Sequence, residues 1–194
     1  MWVYIVLLGY LIWLIISFDF RGLNPQNSKK AYKQFRLLKV VLILIMGLAY
    51  RMGSDGIFYN EIFDITPSLG DFDFSRLSDY RFEPGWALLN IIVKTIIGDF
   101  VGVRLVCAIA IYCALFELLK KHSKYPFTVI LFFYFSGWIN LNFEMLRQTC
   151  GMAFMLWGCL SLLKGDRKTF ILRCIPGFFF HWSVILVCVL LLVF

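Results

Sequence analysis

Long uncharged stretches divide this chain, and short charged clusters separate them. One runs from Trp2 to Phe18, a second from Tyr125 to Phe143, and a third from Cys174 to Phe194 is interrupted only by His181. Each approaches the roughly 20 residues with which a helix crosses a hydrocarbon core. Backbone groups in lipid must hydrogen-bond to one another, so such stretches are helical. The pattern predicts crossings over 2–18, 35–50, 100–119, 126–142 and 145–163, with a last apolar region from 169. That last region is either two short legs broken near His181 or one helix kinked at Pro176-Gly177. The fold class is therefore an all-α polytopic membrane protein with about five to seven transmembrane helices.

The segment "GWALLNIIVKTIIG" (85–98) behaves differently. At about 1.5 Å per residue its helix is only about 21 Å long. Asn90 and Lys94 stand four apart and share one face, which predicts an amphipathic segment that is interfacial or re-entrant. Parity supports this: a full crossing here would invert every later loop.

Charge sets the orientation. Of 19 basic residues, 13 fall in three groups: Arg21, Lys29, Lys30, Lys33, Arg36 and Lys39; Lys120, Lys121 and Lys124; Lys164, Arg167, Lys168 and Arg173. The positive-inside rule makes loops 19–34, 120–125 and 164–168 cytoplasmic. Loop 51–84 carries seven acids against three arginines and belongs outside, with the N-terminus. Residues 1–194 then form a single transmembrane domain.

Composition agrees: 61% hydrophobic, 19% aromatic, mean hydropathy +0.80. The net charge of +7 is spread as loop clusters, so no nucleic-acid partner is expected. The first stretch has no basic residue before it and no small-residue cleavage site after it, so it reads as a retained span. Six cysteines lie in apolar segments without metal spacing and read as packing residues. No Gly-rich phosphate loop, paired CxxC or HExxH is present, so no metal or other cofactor is expected.

With this topology the unusual polar residues gather at the outer ends of the helices: Arg51, Asp55, Glu83, Arg104, Glu144, Arg147 and His181. Charged groups beside spans are costly and are functional candidates by default. Each also has a plainer reading. Arg51 can snorkel, Asp55 in "GSDG" can form a turn, and Glu83 can cap the helix after Pro84-Gly85. Glu144 can pair with Arg147 on one helix face, and His181 can simply pack among aromatics. Chemically, arginines offer bidentate donors to a diphosphate. A carboxylate or histidine can take a proton from a hydroxyl. "WINLNF", with Trp138, Asn140, Asn142 and Phe143, offers a stacking face and amides for a sugar.

Four segments in order, "GSDGIFYNEIF", "RFEPGWALLNIIVKTIIGDF", "NFEMLRQTCGMAFML" and "FFFHWSVIL", resemble the EpsG family of bacterial exopolysaccharide proteins, which is similar to Wzy-type O-antigen polymerases. The shared elements are G-x-D-x-x-x-Y, E-P-G-[FY], [IML]-R-Q-x-[IC]-[AG] and F-H-x-S. They fall on Gly53, Asp55 and Tyr59, on Glu83, Pro84 and Gly85, on Arg147 and Gln148, and on His181 and Ser183. Trp86 stands where Phe or Tyr is more common, and Cys150-Gly151 where Ile-Ala is. The resemblance spans about residues 45 to 190. The chain stops at Phe194 inside an apolar run, and family members are longer, so it reads as an N-terminal portion whose missing part contributes to the site.

The resemblance implies a GT-C-like membrane glycosyltransferase that joins undecaprenyl-diphosphate-linked oligosaccharide repeat units at the outer face of the membrane. Arg147, with Arg51 or Arg104, would hold the lipid diphosphate. Asp55, Glu83 or His181 would activate the acceptor hydroxyl, and Tyr59, Trp138, Asn142 and Gln148 would contact glycan. Two other readings stay open: a transporter using Arg104, Lys94 and Glu117 along a pathway, and a non-catalytic subunit assembled with other polysaccharide assembly proteins.

Overall fold

A computed structural model describes residues 2–49, 53–73, 82–137 and 144–193. Among them are nine α-helices: α1 (Trp2–Ser17), α2 (Lys29–Gly47), α3 (Ser54–Ile65), α4 (Pro84–Ile96), α5 (Phe100–His122), α6 (Pro126–Ser136), α7 (Leu146–Leu162), α8 (Arg167–Phe178) and α9 (Ser183–Val193). Side-chain caps start three of them. Ser28 accepts from Ala31 N at the head of α2, Asp99 from Val101 N for α5, and Asp166 from Thr169 N for α8.

The centre is a stack of α2, α5 and α7. α2 and α5 are antiparallel: the Phe35 and Phe116 rings meet at 4.5 Å, while Gly47 at the other end of α2 abuts Leu105. α5 and α7 run parallel, with the Cys107 and Cys150 thiols 3.0 Å apart between them. α6 lies antiparallel to α1: Tyr134 donates to Tyr4 O at one end, and Thr128 donates to Asp19 at the other. The ends of α1, α2, α5, α6 and α7 therefore fall at two levels. One level carries the clusters at Lys29–Lys39, Lys120–Lys124 and Lys164–Lys168, and the other carries Arg147.

Among the described residues two stretches are long and apolar enough to cross a membrane, Trp2–Arg21 and Phe100–His122, with mean hydropathies of 2.2 and 2.0 in their most apolar windows. α1 shows the lipid-facing pattern directly. Leu7, Leu11 and Leu14 are buried, while Trp2, Val3, Val6, Trp13 and Ile16 remain exposed. A water-soluble surface does not hold so broad an apolar patch.

α4 does not run between the two levels. Its first turn touches the α8–α9 turn, where Gly85 N donates to Phe179 O. Its last turn packs Val93 and Ile97 around Gly102 near the start of α5. Both contacts lie at the Arg147 level, so α4 is laid across the helix ends. The face shared by Asn90 and Lys94 points into protein, not toward water. Asn90 is buried and donates to Trp86 O, while Lys94 Nζ donates to Phe63 O and Asp64 O at the end of α3. A cation there offsets the negative helix terminus.

Within the expected outer loop 51–84, Ser54–Ile65 is helical; Gly56, Tyr59 and Phe63 make a buried stripe that the surrounding acids obscured. Of the two forms open for 169–194, the chain takes the broken one. α8 ends two residues after Pro176 and α9 folds back, so that Ile171, Cys174 and Phe178 face Leu192, Cys188 and Val184 across an apolar cleft of about 320 Å³. Gly151 and Gly177 let α7 and α8 touch backbone to backbone below this turn; a Cβ at 177 would stand 2.8 Å from Gly151 O.

Candidate functional site

Four segments meet at the start of α7. α3 supplies Tyr59, the approach to α4 supplies Phe82 and Glu83, α7 supplies Arg147, and the α8–α9 turn supplies His181. Arg147 Nη1 donates to Glu83 Oε2 at 2.5 Å, and Arg147 Nε donates to the Tyr59 hydroxyl at 3.1 Å. The guanidinium lies 4.4 Å from the Phe82 ring centroid and 5.7 Å from that of Tyr59, within cation–π range. Tyr59 is itself fixed, packed against Trp86 at 5.3 Å and Phe82 at 5.8 Å. The Glu83 side chain is 7% exposed and that of Arg147 22%. The pair is thus largely desolvated, yet one edge of the guanidinium stays open. Nη2 has no partner among the described residues.

Glu83 occupies the N-cap position of α4 without capping it: no side-chain hydrogen bond goes to the helix, and the carboxylate turns to Arg147 instead. Arg147 likewise does not pair with Glu144. The preference is electrostatic: Glu83 is the more buried acid, and an opposite charge offsets the cost of burying it.

His181 sits in the turn after α8. Ser183 N donates to His181 Nδ1 at 3.2 Å, and the Ser183 hydroxyl lies 2.8 Å from the same atom. A backbone N–H can only donate, so Nδ1 accepts and the neutral ring carries its proton on Nε2. Burial pushes the imidazole below its ordinary pKa. Glu83 opposes that shift and Arg147 adds to it, so the ring feels both members of the ion pair.

The other candidates are placed less centrally. Asp55 is exposed in the first turn of α3, one turn before Tyr59 and on the same side of the helix; among the described residues it makes no hydrogen bond or ion pair. Arg104 is 1% exposed inside α5, its guanidinium over the Phe100 ring at 5.6 Å. It precedes Cys107 by the same three residues that separate Arg147 from Cys150, so in parallel helices the two arginines share a level. Gln148 is half-buried beside Arg147. Arg51, Trp138 and Asn142 lie outside the described residues, as do Asn140 and Phe143.

Sequence reasoning missed Phe82 and Phe179. Phe82 adjoins the E-P-G element and supplies the face under Arg147; only its position beside Glu83 pointed to it. Phe179 acts through its carbonyl, for which no side-chain signal exists. Trp86, noted as a departure from the usual aromatic, is the fully buried ring that positions Tyr59.

Apolar helices closed at one end by a desolvated Arg–Glu–Tyr cluster define a helical membrane protein with a polar site at its helix ends. The chain belongs to the EpsG family, whose model matches residues 32–194. Membership places it among membrane proteins of polysaccharide biosynthesis. No curated protein and no solved structure matches the chain.

Proposed function

We propose that this protein joins undecaprenyl-diphosphate-linked oligosaccharide repeat units into a polysaccharide, at the outer face of the bacterial cytoplasmic membrane. The carrying observation is the Arg147 guanidinium, held by Glu83 and Tyr59 and lacking a partner for Nη2 among the described residues. A guanidinium oriented in this way suits a diphosphate, whose oxygens accept paired N–H bonds. The arrangement also narrows the choice of base. Glu83 is neutralised by Arg147, and the His181 lone pair on Nδ1 is taken by Ser183 N–H. Asp55 is the remaining candidate carboxylate, exposed one turn before Tyr59 on α3.

In this reading the acceptor sugar hydroxyl attacks the donor anomeric carbon with inversion. Its proton passes to Asp55, and the bond from that carbon to the diphosphate oxygen breaks. Undecaprenyl diphosphate leaves with the electron pair, its negative charge met by Arg147 and by Nε2–H of His181. A GT-C-like arrangement of about five to seven crossings, with the N-terminus outside and α4 in the interface, suits this role. Loops rich in Lys and Arg then face the cytoplasm.

The transporter reading loses two of its three motivating residues, because Lys94 is committed to the end of α3 and Glu117 to Lys121. The test is to reconstitute the protein with a synthetic undecaprenyl-diphosphate oligosaccharide, without nucleotide or metal. Ladders of repeat units, lost in Arg147→Ala and Asp55→Asn, are expected. Saturable lipid binding without ladders would point instead to an assembly subunit and overturn the catalytic assignment.

A further inference from the structure

A second built feature lies at the other end of the bundle. Ser161 follows Arg147 on α7 by a helical rise of about 21 Å. Here α2, α5, α7 and α8 enclose two hollows that share Glu117 and Trp157. The first, of about 480 Å³, is walled mainly by Ala110, Ala114, Ala153 and Phe154, with Lys39 at its rim. Alanines where neighbouring turns carry leucine and phenylalanine leave this space open. The second, of about 580 Å³, is polar and is lined by Lys121, Lys164 and Arg173 together with Asp166.

The charges are unbalanced. Four cations (Lys39, Lys121, Lys164, Arg173) face two carboxylates (Glu117, Asp166). One of those carboxylates is occupied in capping α8 and the other in pairing with Lys121 at 2.7 Å. Arg173 is held in place at the junction: Nη1 donates to Trp157 O at 3.2 Å, and the guanidinium lies 5.1 Å from the Trp157 ring centroid. Among the described residues Lys164 has no partner. The order along the groove is thus apolar hollow, aromatic junction, cationic hollow.

We infer that this groove binds an anionic glycerophospholipid, one acyl chain in the alanine-lined hollow and the phosphate among Lys121, Lys164 and Arg173. Basic pockets between helices at a membrane surface recognise anionic headgroups. A zwitterionic lipid would bring its own ammonium group against these cations. A soluble phosphate would leave the apolar hollow unfilled. The inference stands apart from the reading of the Arg147 site, since it uses none of its residues.

The experiment is native mass spectrometry of the full chain, stripped of lipid in detergent and titrated with palmitoyl-oleoyl phosphatidylglycerol or phosphatidylcholine. Phosphatidylglycerol should bind in preference. Removing two cations in Lys164→Gln/Arg173→Gln should weaken it by roughly 30-fold without changing phosphatidylcholine. Lys29→Gln/Lys30→Gln/Lys33→Gln, which removes exposed charge at the same end but off the groove, should leave it unchanged. Ala110→Phe keeps every charge and blocks the hollow, so it should weaken the lipid even if the charge variant folds poorly. Equal binding of the two lipids, an equal loss in the lysine triple variant, or displacement of the lipid by an equal concentration of inorganic phosphate would each overturn the assignment.

Discussion

The backbone N–H of Gly85 donates to the carbonyl oxygen of Phe179 at 2.8 Å, tying the first turn of α4 to the turn that carries His181. A Cβ at position 85 would stand 2.6 Å from that oxygen and 2.9 Å from its carbonyl carbon. Both atoms are backbone and cannot rotate away, so the cost of overpacking falls on the junction itself. Gly85→Ala should destabilise the protein by about 1–3 kcal/mol and lower activity by separating His181 from Glu83. Gly9→Ala, with nothing within 4 Å, should cost no stability. Thermal melts of the two variants in the same detergent make the comparison.

The Glu83–Arg147 pair is buried enough that the loss of one partner strands the other. Glu83→Gln or Arg147→Gln alone should cost about 3 kcal/mol or more, and the double variant less than the sum of the two. Arg147→Lys keeps the charge but lacks the Nε donor that reaches Tyr59, so it should restore only part of the stability. Tyr59→Phe removes a single hydrogen bond to a charged donor and should cost about 1.5–3 kcal/mol. A double-mutant cycle read by denaturation checks the coupling. Additive single losses would mean that the pair does not hold the site together.

Most of the candidate site was legible because it is written in side chains. Glu83, Arg147 and His181 were singled out as charged or titratable groups beside apolar stretches, and the structure brings them together with Tyr59. What escaped was carried by backbone or by distance in sequence. The Phe179 carbonyl has no letter of its own, and the helix over Ser54–Ile65 hid behind its acids. Asp19 is the plainest case. In sequence it only follows the first apolar stretch, yet it is 1% exposed and accepts from Thr128 N at 2.7 Å and from the Thr128 hydroxyl at 2.8 Å.

Asp19 is therefore the N-terminal cap of α6, supplied from a helix far away in the chain. The residue adjoining α6, Tyr125, provides no side-chain cap. Asp19→Ala should cost about 1–2 kcal/mol, and Asp19→Asn less, since the amide oxygen still accepts. Thr128→Val loses only the hydroxyl bond and should fall between wild type and Asp19→Ala. Amide hydrogen exchange at Phe127 and Thr128 reports the cap directly. Unchanged protection in Asp19→Ala would show that α6 starts without it.

His181 makes the site sensitive to acid. Its pKa is held below the ordinary value of 6.5, chiefly by burial, so on acidification the unfolded chain takes up the proton before the folded one does. Stability is unaffected by this group above that value and falls as pH drops through 6.5 toward the lower folded value. The local cause is visible: a protonated ring carries a hydrogen on Nδ1, which then faces Ser183 N–H as donor against donor. It also places positive charge beside Arg147. Melting temperature should therefore decline below pH 6.5 in the wild type, and His181→Gln should flatten that decline. Ser183→Ala keeps the backbone N–H and should keep the decline. A profile equally steep in His181→Gln would assign the acid sensitivity to other groups.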